Sequence, residues 1–471
     1  MEATKKAPEE AANPRIRQPK PSRFAHRKPA NGREAALFVL HAVWEEGAYA
    51  SLALGKVLRF LDKDGAAAGA ERRLATELVY GAVKAAEPLD FLIYALTRKP
   101  LRQIEPVLRY ILHLGLYQIF YVERIPAAAA CNESVKLAKK YSHPGADRFV
   151  NGVLRNSVRQ KDGLWKQLQG NRALRLCHPA WLVDRWTAQF GEDGAEALCR
   201  WDNEPPLLSL RLNPLETERD AFLQNLREMG GEGSLSLWCP DGILLEKMPA
   251  GGLEALFRAF PKAFYIQDES SMLPAQVLQP QPGEQVLDLC AAPGGKTTHL
   301  ATLMQNRGSV TACDVYGHKL ALIRANAERL GLTNITTQLQ DGMRFRADWE
   351  NRFDRVLTDV PCSGLGVLRR RVEARWVKTE KDLKGFPPLQ KAILDNGARY
   401  VRPGGFLVYS TCTIEEAENH GRREAFLQEH PGWEGAAFPH PCTGQAVEEL
   451  QLYPQRDGVD GFYLTLLHRK P

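Results

Sequence analysis

The chain has 471 residues, of which 44% are hydrophobic and 25% charged, and a formal net charge of +6. These values are typical of a water-soluble protein with two to four domains, and no apolar stretch approaches the roughly 20 residues of a membrane-spanning helix. The nine cysteines are scattered without a C-x-x-C pair, so we expect neither a metal site nor a disulfide framework. Because no apolar signal core lies near the start, we expect a cytoplasmic protein with reduced thiols.

Residues 1–30 form a basic segment that is rich in proline and nearly free of large apolar side chains. Eight Lys and Arg residues against three Glu residues give it a net charge of +5. Such a segment cannot bury enough apolar surface to become ordered, so the sequence predicts a disordered tail. Contact with a polyanion such as RNA and simple solvation remain alternative interpretations of its charge.

Residues 31–165 show helical spacing and almost no strand signal. Leu37, Leu40 and Val43 fall on one face, and Pro106 stands where a helix can begin. The pattern predicts an independent all-α bundle. Residues 166–255 then mix a helix after His178 with strand-like stretches at 207–212, 235–238 and 243–245, which predicts a small α+β linker module.

From residue 256 to 471, strands and helices alternate in the manner of a Rossmann-like α/β domain with a mainly parallel sheet. The last strand, at residues 462–468, is expected to be antiparallel. The strand at residues 286–289 is followed by small residues, by Gly294 and Gly295, and by a helix. A strand, a tight turn and a helix form the ligand-binding corner of a doubly wound sheet.

The choice of ligand follows from what this turn lacks. The tripeptide at residues 295–297 fits the end of a phosphate-binding loop, but Cys290 stands where the first glycine is required, and no G-x-G-x-x-G follows a strand. A nucleoside cofactor without a phosphate chain, such as S-adenosylmethionine, suits the turn better. An ordinary strand–helix turn is the alternative.

Acids follow three further predicted strands, at Asp314, Asp341 and Asp359. The carboxyl ends of parallel strands meet at one edge, so these carboxylates should gather beside the glycine turn. The acid after the second strand is suited to a ribose diol, because a carboxylate can accept both hydroxyl hydrogens.

Cys362 and Cys412 lie in polar loops after the fourth and fifth strands, whereas most cysteines are small buried hydrophobes. A methyl group on nitrogen or oxygen needs no thiol for its transfer. Methyl transfer to carbon 5 of a pyrimidine does need a thiol, because thiolate attack at carbon 6 makes carbon 5 nucleophilic. Asp359 is placed to hold the amino edge of the base. The residues alone leave open which cysteine attacks and which assists release.

Residues 369–378 carry five basic residues, one glutamate and Trp376, a net charge of +4. Arginine with an aromatic residue can grip phosphates and stack on unpaired bases, although a solvated loop is the alternative. We expect phosphate contacts here and at Lys296, and therefore RNA binding that weakens steeply with salt.

Several motifs closely resemble those of the RNA cytosine-C5 methyltransferase family. They read QDESSMLPA at 267–275, VLDLCAAPGGKT at 286–297, DVPCSGLG at 359–366, RPGGFLVYSTCT at 402–413 and DGFYL at 460–464, with Glu418-Asn419 between the last two. The helical segment resembles the NusB fold through ERRLATELVYG at 71–81, ILHLGLYQI at 111–119 and FVNGVLRN at 149–156. That fusion is typical of members that act on 16S ribosomal RNA.

The resemblance implies methylation of a cytosine in 16S rRNA, with Cys412 as nucleophile and Cys362 assisting release. It implies that S-adenosylmethionine contacts Cys290, Ala291, Ala292, Pro293, Gly294, Gly295, Lys296, Asp314, Asp341 and Asp359. Thr413 replaces the usual serine, and Val372-Glu373 replaces a frequent Pro-Asp pair. A non-catalytic RNA-binding factor, or an enzyme acting on transfer RNA or 23S RNA, remains the rival interpretation. RNA is the expected partner, without an obligate protein partner.

Overall fold

The computed structural model describes residues 23–24, 27–61 and 66–471. It consists of two compact units, Met1–Asn203 with Arg370–Asp382, and Glu204–Arg369 with Leu383–Pro471. Most of the predicted tail at residues 1–30 lies outside the described residues. Within its described part, Phe24 is buried and stacks on Phe38 at 4.4 Å between ring centroids. Among the residues described, no helix is long and apolar enough to cross a membrane.

The first unit is all-helical, which confirms the predicted bundle. Asn31 caps the first helix by accepting a hydrogen bond from the Glu34 amide, and Pro106 begins the fifth helix. Its helices are α1 (Gly32–Glu46), α2 (Ala50–Leu58), α3 (Ala66–Lys84), α4 (Ala86–Thr97), α5 (Pro106–Tyr121), α6 (Ala127–Tyr141), α7 (Ala146–Arg159), α8 (Lys161–Gly170), α9 (Arg172–Leu176) and α10 (Ala180–Asn203), with 3₁₀ turns at Arg59–Leu61 and Leu101–Gln103. Helical structure thus continues through a kink at Gly191 to Asn203, beyond the expected limit at 165.

The second unit begins with a small α+β module. Its elements are β1 (Leu208–Leu212), α11 (Arg219–Glu228), β2 (Glu232–Leu235), β3 (Gly242–Lys247), α12 (Gly252–Ala259) and β4 (Phe264–Ile266), and the antiparallel sheet has the order β2-β3-β1-β4. The strand predicted at 235–238 lies earlier in the chain, because β2 covers Glu232–Leu235 and only Leu235 is shared. Ser236 Oγ accepts hydrogen bonds from the amides of Trp238 and Cys239, at 3.0 and 3.1 Å, so these residues form a turn instead.

A large sheet follows. Its elements are α13 (Glu269–Leu278), β5 (Gln285–Asp288), α14 (Gly295–Leu303), β6 (Ser309–Asp314), α15 (Gly317–Arg329), β7 (Ile335–Leu339), β8 (Phe353–Asp359), α16 (Ala374–Val377), α17 (Glu380–Leu383), α18 (Phe386–Tyr400), β9 (Val401–Thr411), α19 (His420–Glu429), β10 (Trp433–Gly435), β11 (Phe438–Pro439), β12 (Ala446–Val447), β13 (Glu449–Leu452), α20 (Pro454–Asp457) and β14 (Phe462–Arg469), with 3₁₀ turns at Ala347–Trp349 and Glu416–Glu418.

The strand order β10-β14-β9-β8-β5-β6-β7 confirms the predicted Rossmann-like sheet. Strands β5 to β9 are parallel, and β14 runs antiparallel to β9. Strand β13 pairs with β14 at the side, while β11 and β12 form a separate ribbon. The chain order reverses at β5, which lies between β6 and β8. The carboxyl ends of these three strands are therefore where a ligand-binding crevice forms.

One segment of the predicted RNA loop belongs to the helical unit. We call residues 370–382 the inserted segment. Val372 is fully buried and packs into the core of the helical bundle. Trp376 is partly buried, and its indole Nε1 donates to the Val83 carbonyl at 2.8 Å.

Arg375 is fully buried at the ends of two helices. Its guanidinium donates to the carbonyl oxygens of Cys177 and Asp202, both at 3.0 Å, and to Asn203 Oδ1 at 2.7 Å. Helix ends leave carbonyl groups without intrahelical donors, and the arginine fork supplies them. The prediction that this residue and its neighbours grip RNA is therefore wrong for Arg375, Val372 and the indole NH of Trp376.

Candidate active site

The glycine turn joins β5 to α14 at the point where the strand order reverses. The Leu289 amide donates to the Leu357 carbonyl of β8 at 3.0 Å, and the Ala291 amide donates to the Cys313 carbonyl of β6 at 2.7 Å. Gly294 has φ = 105°, and a Cβ there would lie 3.2 Å from Ile323 Cα. The turn is thus tied to both neighbouring strands and needs glycine at its tip.

Asp314 and Asp341 lie on one side of this turn, at the ends of β6 and β7. Asp314 is largely buried, and one carboxylate oxygen accepts from the Tyr316 amide at 2.9 Å. Asp341 is more exposed and accepts from the Met343 amide at 3.0 Å. Each carboxylate is oriented by an amide of its own loop, and each has a second oxygen with which to accept from a ligand hydroxyl.

Asp359 and Lys296 form an ion pair on the other side of the turn. Lys296 Nζ lies 2.8 Å from Asp359 Oδ2 and donates to Ser271 Oγ at 3.1 Å. Ser410 Oγ donates to the other Asp359 oxygen at 2.8 Å. Burial acts to lower the pKa of Lys296, but the Asp359 carboxylate outweighs it and raises that pKa above its ordinary value. The lysine is therefore a fixed positive charge beside Asp359 rather than a free phosphate ligand.

The two cysteines singled out in the sequence are in contact. Cys362, in the loop after β8, and Cys412, after β9, have sulfur atoms 3.2 Å apart. A hydrogen bond between Ser363 Oγ and Thr413 Oγ1, at 2.6 Å, joins the same two loops one residue further on. The hydrogen bond to Cys412, followed by burial, raises the pKa of the Cys362 thiol well above its ordinary value. The two thiols therefore share a hydrogen bond in which either sulfur can be the donor.

The charge of a Cys412 thiolate contributes to raising the pKa of Lys296. The two side chains are therefore close enough to interact electrostatically. A fixed ammonium near a sulfur atom favours its thiolate form. The two sulfurs therefore differ in their surroundings, since the charge of Lys296 acts on Cys412 and burial desolvates Cys362. This difference was not derivable from the sequence, where both thiols simply follow strands.

Glu418 organises the cysteine loops and was quoted in the sequence only as part of a motif. It is almost fully buried, and its Oε2 accepts from the Ser363 amide at 2.9 Å and from Gln390 Nε2 at 2.7 Å. Burial raises the pKa of this carboxyl. Asn419 bonds to Thr411 Oγ1 and to the Thr413 carbonyl, at 2.6 and 2.9 Å, on either side of Cys412.

Asp288, at the end of β5, is a second buried acid that sequence reasoning did not assign to the site. Its side chain is fully buried, and Oδ2 accepts from Thr297 Oγ1 at 2.7 Å. Burial raises the pKa of Asp288 to about 7. The sequence did contain a signal for Asp288, because it is an acid inside an apolar strand. Burying a carboxylate costs free energy unless the group is paired or neutral.

The remaining predicted site residues line the turn itself. Cys290, Ala291, Ala292 and Pro293 separate β5 from Gly294, and burial raises the pKa of the Cys290 thiol well above its ordinary value. Their side chains are small, and Asp314 and Asp359 end the two strands on either side of β5. Such a donor set suits a nucleoside with a ribose diol, and it offers no loop of amides for a triphosphate.

Comparison with known families agrees with this geometry. Residues 275–468 match the model described as 16S rRNA methyltransferase RsmB/F, residues 30–159 match the NusB family, and residues 178–250 match the ferredoxin-like domain of RsmF/B-like methyltransferases. A protein of Bacillus subtilis, named probable ribosomal RNA small subunit methyltransferase B, is 37% identical over 94% of this chain and 100% of its own length. The chain belongs to the RsmB/F family.

A further relative and two solved structures are also similar to this chain. The ribosomal RNA small subunit methyltransferase B of Escherichia coli O1:K1 / APEC is 33% identical over 94% of this chain and 100% of its own. The crystal structure of PH0851 has a TM-score of 0.79 at 26% identity and covers 94% of this chain and 99% of its own. A methyltransferase homologue from Pyrococcus horikoshii has a TM-score of 0.54 at 30% identity, over 63% of this chain and 97% of its own.

Proposed function

We propose that this RsmB/F-family protein methylates carbon 5 of a cytosine in 16S rRNA, with S-adenosylmethionine as the methyl donor. The observation that carries the proposal is the pair of thiols 3.2 Å apart beside the ion pair of Asp359 and Lys296. Methyl transfer to nitrogen or oxygen needs no covalent adduct, so two converging cysteines favour carbon 5 of a pyrimidine.

Cys412 is the proposed nucleophile. Its sulfur adds to carbon 6, which moves electron density to carbon 5 and to the ring edge that carries nitrogen 3. Asp359, held by Lys296 and Ser410, is placed to hold that edge during the addition. Bound S-adenosylmethionine supplies an electrophilic methyl group to carbon 5. Solvent water then takes the proton from carbon 5. The electron pair of that C–H bond restores the double bond between carbons 5 and 6, and the electron pair of the sulfur–carbon 6 bond returns to Cys412 as a thiolate.

Cys362 is proposed to assist this release. Its S–H can donate a hydrogen bond to Cys412 Sγ, so the departing thiolate leaves into a hydrogen bond that is already in place. A thiol whose pKa is raised holds that proton throughout the cycle. Without Cys362 the addition can still occur, whereas the elimination loses its stabilised leaving group.

The cofactor site proposed here is the glycine turn with its flanking acids. Asp314 accepts from the ribose hydroxyls, while the small side chains of residues 290–293 and Gly294 leave room above β5. Asp341 lies further along the same edge. RNA is the expected partner, and a protein that modifies ribosomal RNA during assembly is expected to work in the cytoplasm.

The test is methyl transfer from labelled S-adenosylmethionine to undermodified 16S RNA, followed by bisulfite sequencing to locate the modified carbon. The wild-type chain and Cys442→Ala, which removes an exposed thiol, should label one cytosine. Cys412→Ala should be inactive without forming an adduct. Cys362→Ala should accumulate a protein–RNA adduct that survives denaturing electrophoresis.

Three outcomes would contradict the proposal. An adduct that forms in Cys412→Ala and disappears in Cys362→Ala reverses the two roles. Labelling of transfer RNA or 23S RNA instead of 16S RNA changes the substrate. No incorporation into naked 16S RNA or into assembling small subunits leaves a non-catalytic RNA-binding factor as the better interpretation.

A further inference from the structure

Four side chains of the second unit converge on one point beside α14, the helix that follows the glycine turn. Cys239 and Asp241 lie in the turn that precedes β3, Gln276 lies on α13, and His299 lies on α14. We call them the Cys239 cluster. Cys239 and His299 are 1% and 0% exposed, so the donor atoms are removed from water. None of these residues takes part in the proposed methyl transfer.

The donor atoms lie at short, similar separations. Gln276 Nε2 is 3.7 Å from Cys239 Sγ, 3.0 Å from Asp241 Oδ2 and 3.2 Å from His299 Nε2. His299 Nε2 is 3.4 Å from Asp241 Oδ2. The ligand atoms of Cys239, Asp241 and His299 all lie within 4.8 Å of one another.

Hydrogen bonding alone does not account well for this arrangement. The Gln276 amide nitrogen faces a sulfur, a carboxylate oxygen and a ring nitrogen, but it has two hydrogens. The amide of glutamine has nearly the same shape in either orientation. A half-turn about its last bond would bring Oε1 to the same point, where it becomes a fourth electron-pair donor.

The separations match the edges of a coordination tetrahedron. With metal–ligand distances of about 2.0–2.3 Å, neighbouring ligands of a tetrahedral zinc ion lie about 3.3–3.6 Å apart. Three separations join Gln276 to the other side chains, and a fourth joins His299 to Asp241. These four run from 3.0 to 3.7 Å. A single ion at the centre would reach Asp241, His299 and Gln276 after small shifts. Cys239 Sγ, which lies within 4.8 Å of the ligand atoms of Asp241 and His299, would move toward the ion to complete the tetrahedron.

We propose that the Cys239 cluster binds one Zn²⁺ ion through the sulfur of Cys239, Asp241, His299 and the amide oxygen of Gln276. Sulfur, imidazole and oxygen donors in a tetrahedron are typical of zinc. On binding, the S–H bond of Cys239 breaks, its electron pair is donated to the metal, and the proton leaves to solvent. The thiolate and the carboxylate then balance the two positive charges of the ion.

The His299 ring is fully buried, so solvent does not compete for its Nε2. The buried cation near the cluster, Arg211, is directed elsewhere. Its guanidinium donates to Gln267 Oε1, to the Gly295 carbonyl and to Thr298 Oγ1, the last at 2.9 Å.

The fold also gives an ion a route to the cluster from the surface, and it indicates a structural role for the ion. A surface cavity of about 310 Å³ is lined by Gln276 and by Trp238 and Pro240, the two neighbours of Cys239. The ion would join two parts of the second unit. One is the turn before β3 in the α+β module, and the other is α14, the helix that begins at the glycine turn. We therefore assign it a structural role, in which it fixes α14 and the Gly294 turn against the module.

Metal content of the full-length protein tests the proposal. Protein purified from medium with limited zinc, then desalted, should retain about one zinc per chain, and Cys442→Ala should retain the same amount. Cys239→Ala and Gln276→Ala should retain several-fold less. Chelation should lower the melting temperature of the wild type and leave that of Cys239→Ala unchanged.

Cobalt provides a readout that needs no folded variant. Titration of chelator-treated wild-type protein with Co²⁺ should give a thiolate-to-cobalt charge-transfer band that saturates at one equivalent. A chain without retained zinc and without this band overturns the proposal, as does equal zinc in Cys239→Ala. Neither measurement depends on RNA methylation, so failure here is distinct from failure of the proposed function.

Discussion

Two basic residues that the sequence associates with phosphate contacts are withdrawn from solvent to different degrees, Lys296 partly and Arg375 fully, and their partners differ. Lys296 bonds to the carboxylate of Asp359 and to Ser271, at the edge of the sheet where the two thiols meet. Arg375 bonds to backbone carbonyls of Cys177 and Asp202 and to the side chain of Asn203, at the ends of two helices.

The contrast shows how a buried charge can be interpreted from its partners. A cation whose partner is another ionisable group at a ligand-binding edge can change the reactivity of its neighbours. A cation whose partners are helix-terminal carbonyls satisfies groups that would otherwise lose hydrogen bonds on burial. Lys296 should therefore matter for turnover, and Arg375 should matter for stability.

Replacement of Arg375 gives the largest expected change. Arg375→Met removes three hydrogen bonds to oxygens of Cys177, Asp202 and Asn203 and should lower the free energy of unfolding by about 3–5 kcal/mol. Urea denaturation measures the loss. The matched control, Arg371→Met, changes an exposed residue of the same segment and should remain within about 0.5 kcal/mol of the wild type. Unchanged stability in Arg375→Met together with a lower salt dependence of RNA binding would restore the RNA-contact interpretation.

Replacement of Lys296 should affect turnover more than stability, the reverse of what is expected for Arg375. Lys296→Met removes the fixed charge beside Asp359 and Cys412, and single-turnover methyl transfer should slow by about 100- to 1000-fold. Its loss of stability should be smaller than that of Arg375→Met. Lys262→Met, at an exposed lysine of the same unit, serves as the control. A variant that unfolds without a specific loss of turnover would remove the distinction between the two cations.

Glu418 is an intermediate case, a buried acid at the reactive edge whose partners are an amide NH and a glutamine. Glu418→Gln cannot accept strongly from both donors, so the loop of Cys362 should be held less firmly and methyl transfer should slow by about tenfold. The exposed neighbour variant Glu416→Gln should have wild-type kinetics. The adduct assay locates the effect, because a fault at Cys362 should increase the fraction of trapped RNA, and no increase would argue against this role.

Asp288 provides the smallest and most specific test, through pH. In the folded chain its pKa is raised to about 7, whereas an unfolded aspartate ionises near 3.8. The folded state therefore holds an extra proton between these values, and stability declines as pH rises through this window. Asp288→Asn should raise the melting temperature relative to the wild type by about 2–4 °C more at pH 8 than at pH 5. Asp348→Asn, at an exposed site, should show no such difference, and an equal shift at both pH values would contradict a neutral Asp288.

The sheet and its reactive edge were predictable because their signals are local. Apolar strands, the glycines after β5 and the acids after β6 and β8 are each readable within a few residues. Parallel pairing then requires these ends to meet. The inserted segment was not predictable, because arginines next to a tryptophan look alike whether they face RNA or the carbonyls of helices almost 200 residues earlier.

The proposed zinc ligands were hidden from the sequence for a related reason. They come from three separate elements, and the interval from Cys239 to His299 spans three strands and two helices. Glu418 and Asp288 were visible as letters, but burial gives each its role. Contacts of long sequence separation depend on the packed fold rather than on local pattern.

The inserted segment also has a consequence for synthesis on the ribosome. The helical residues that end at Asn203 are made first, but Val372, Arg375 and Trp376 complete that unit only after residue 382 has been translated. The interval of 382 − 203 = 179 residues takes about 9–36 s at typical elongation rates of about 5–20 residues per second. The N-terminal unit must therefore wait, incomplete, while β5 to β8, half of the strands of the large sheet, are made.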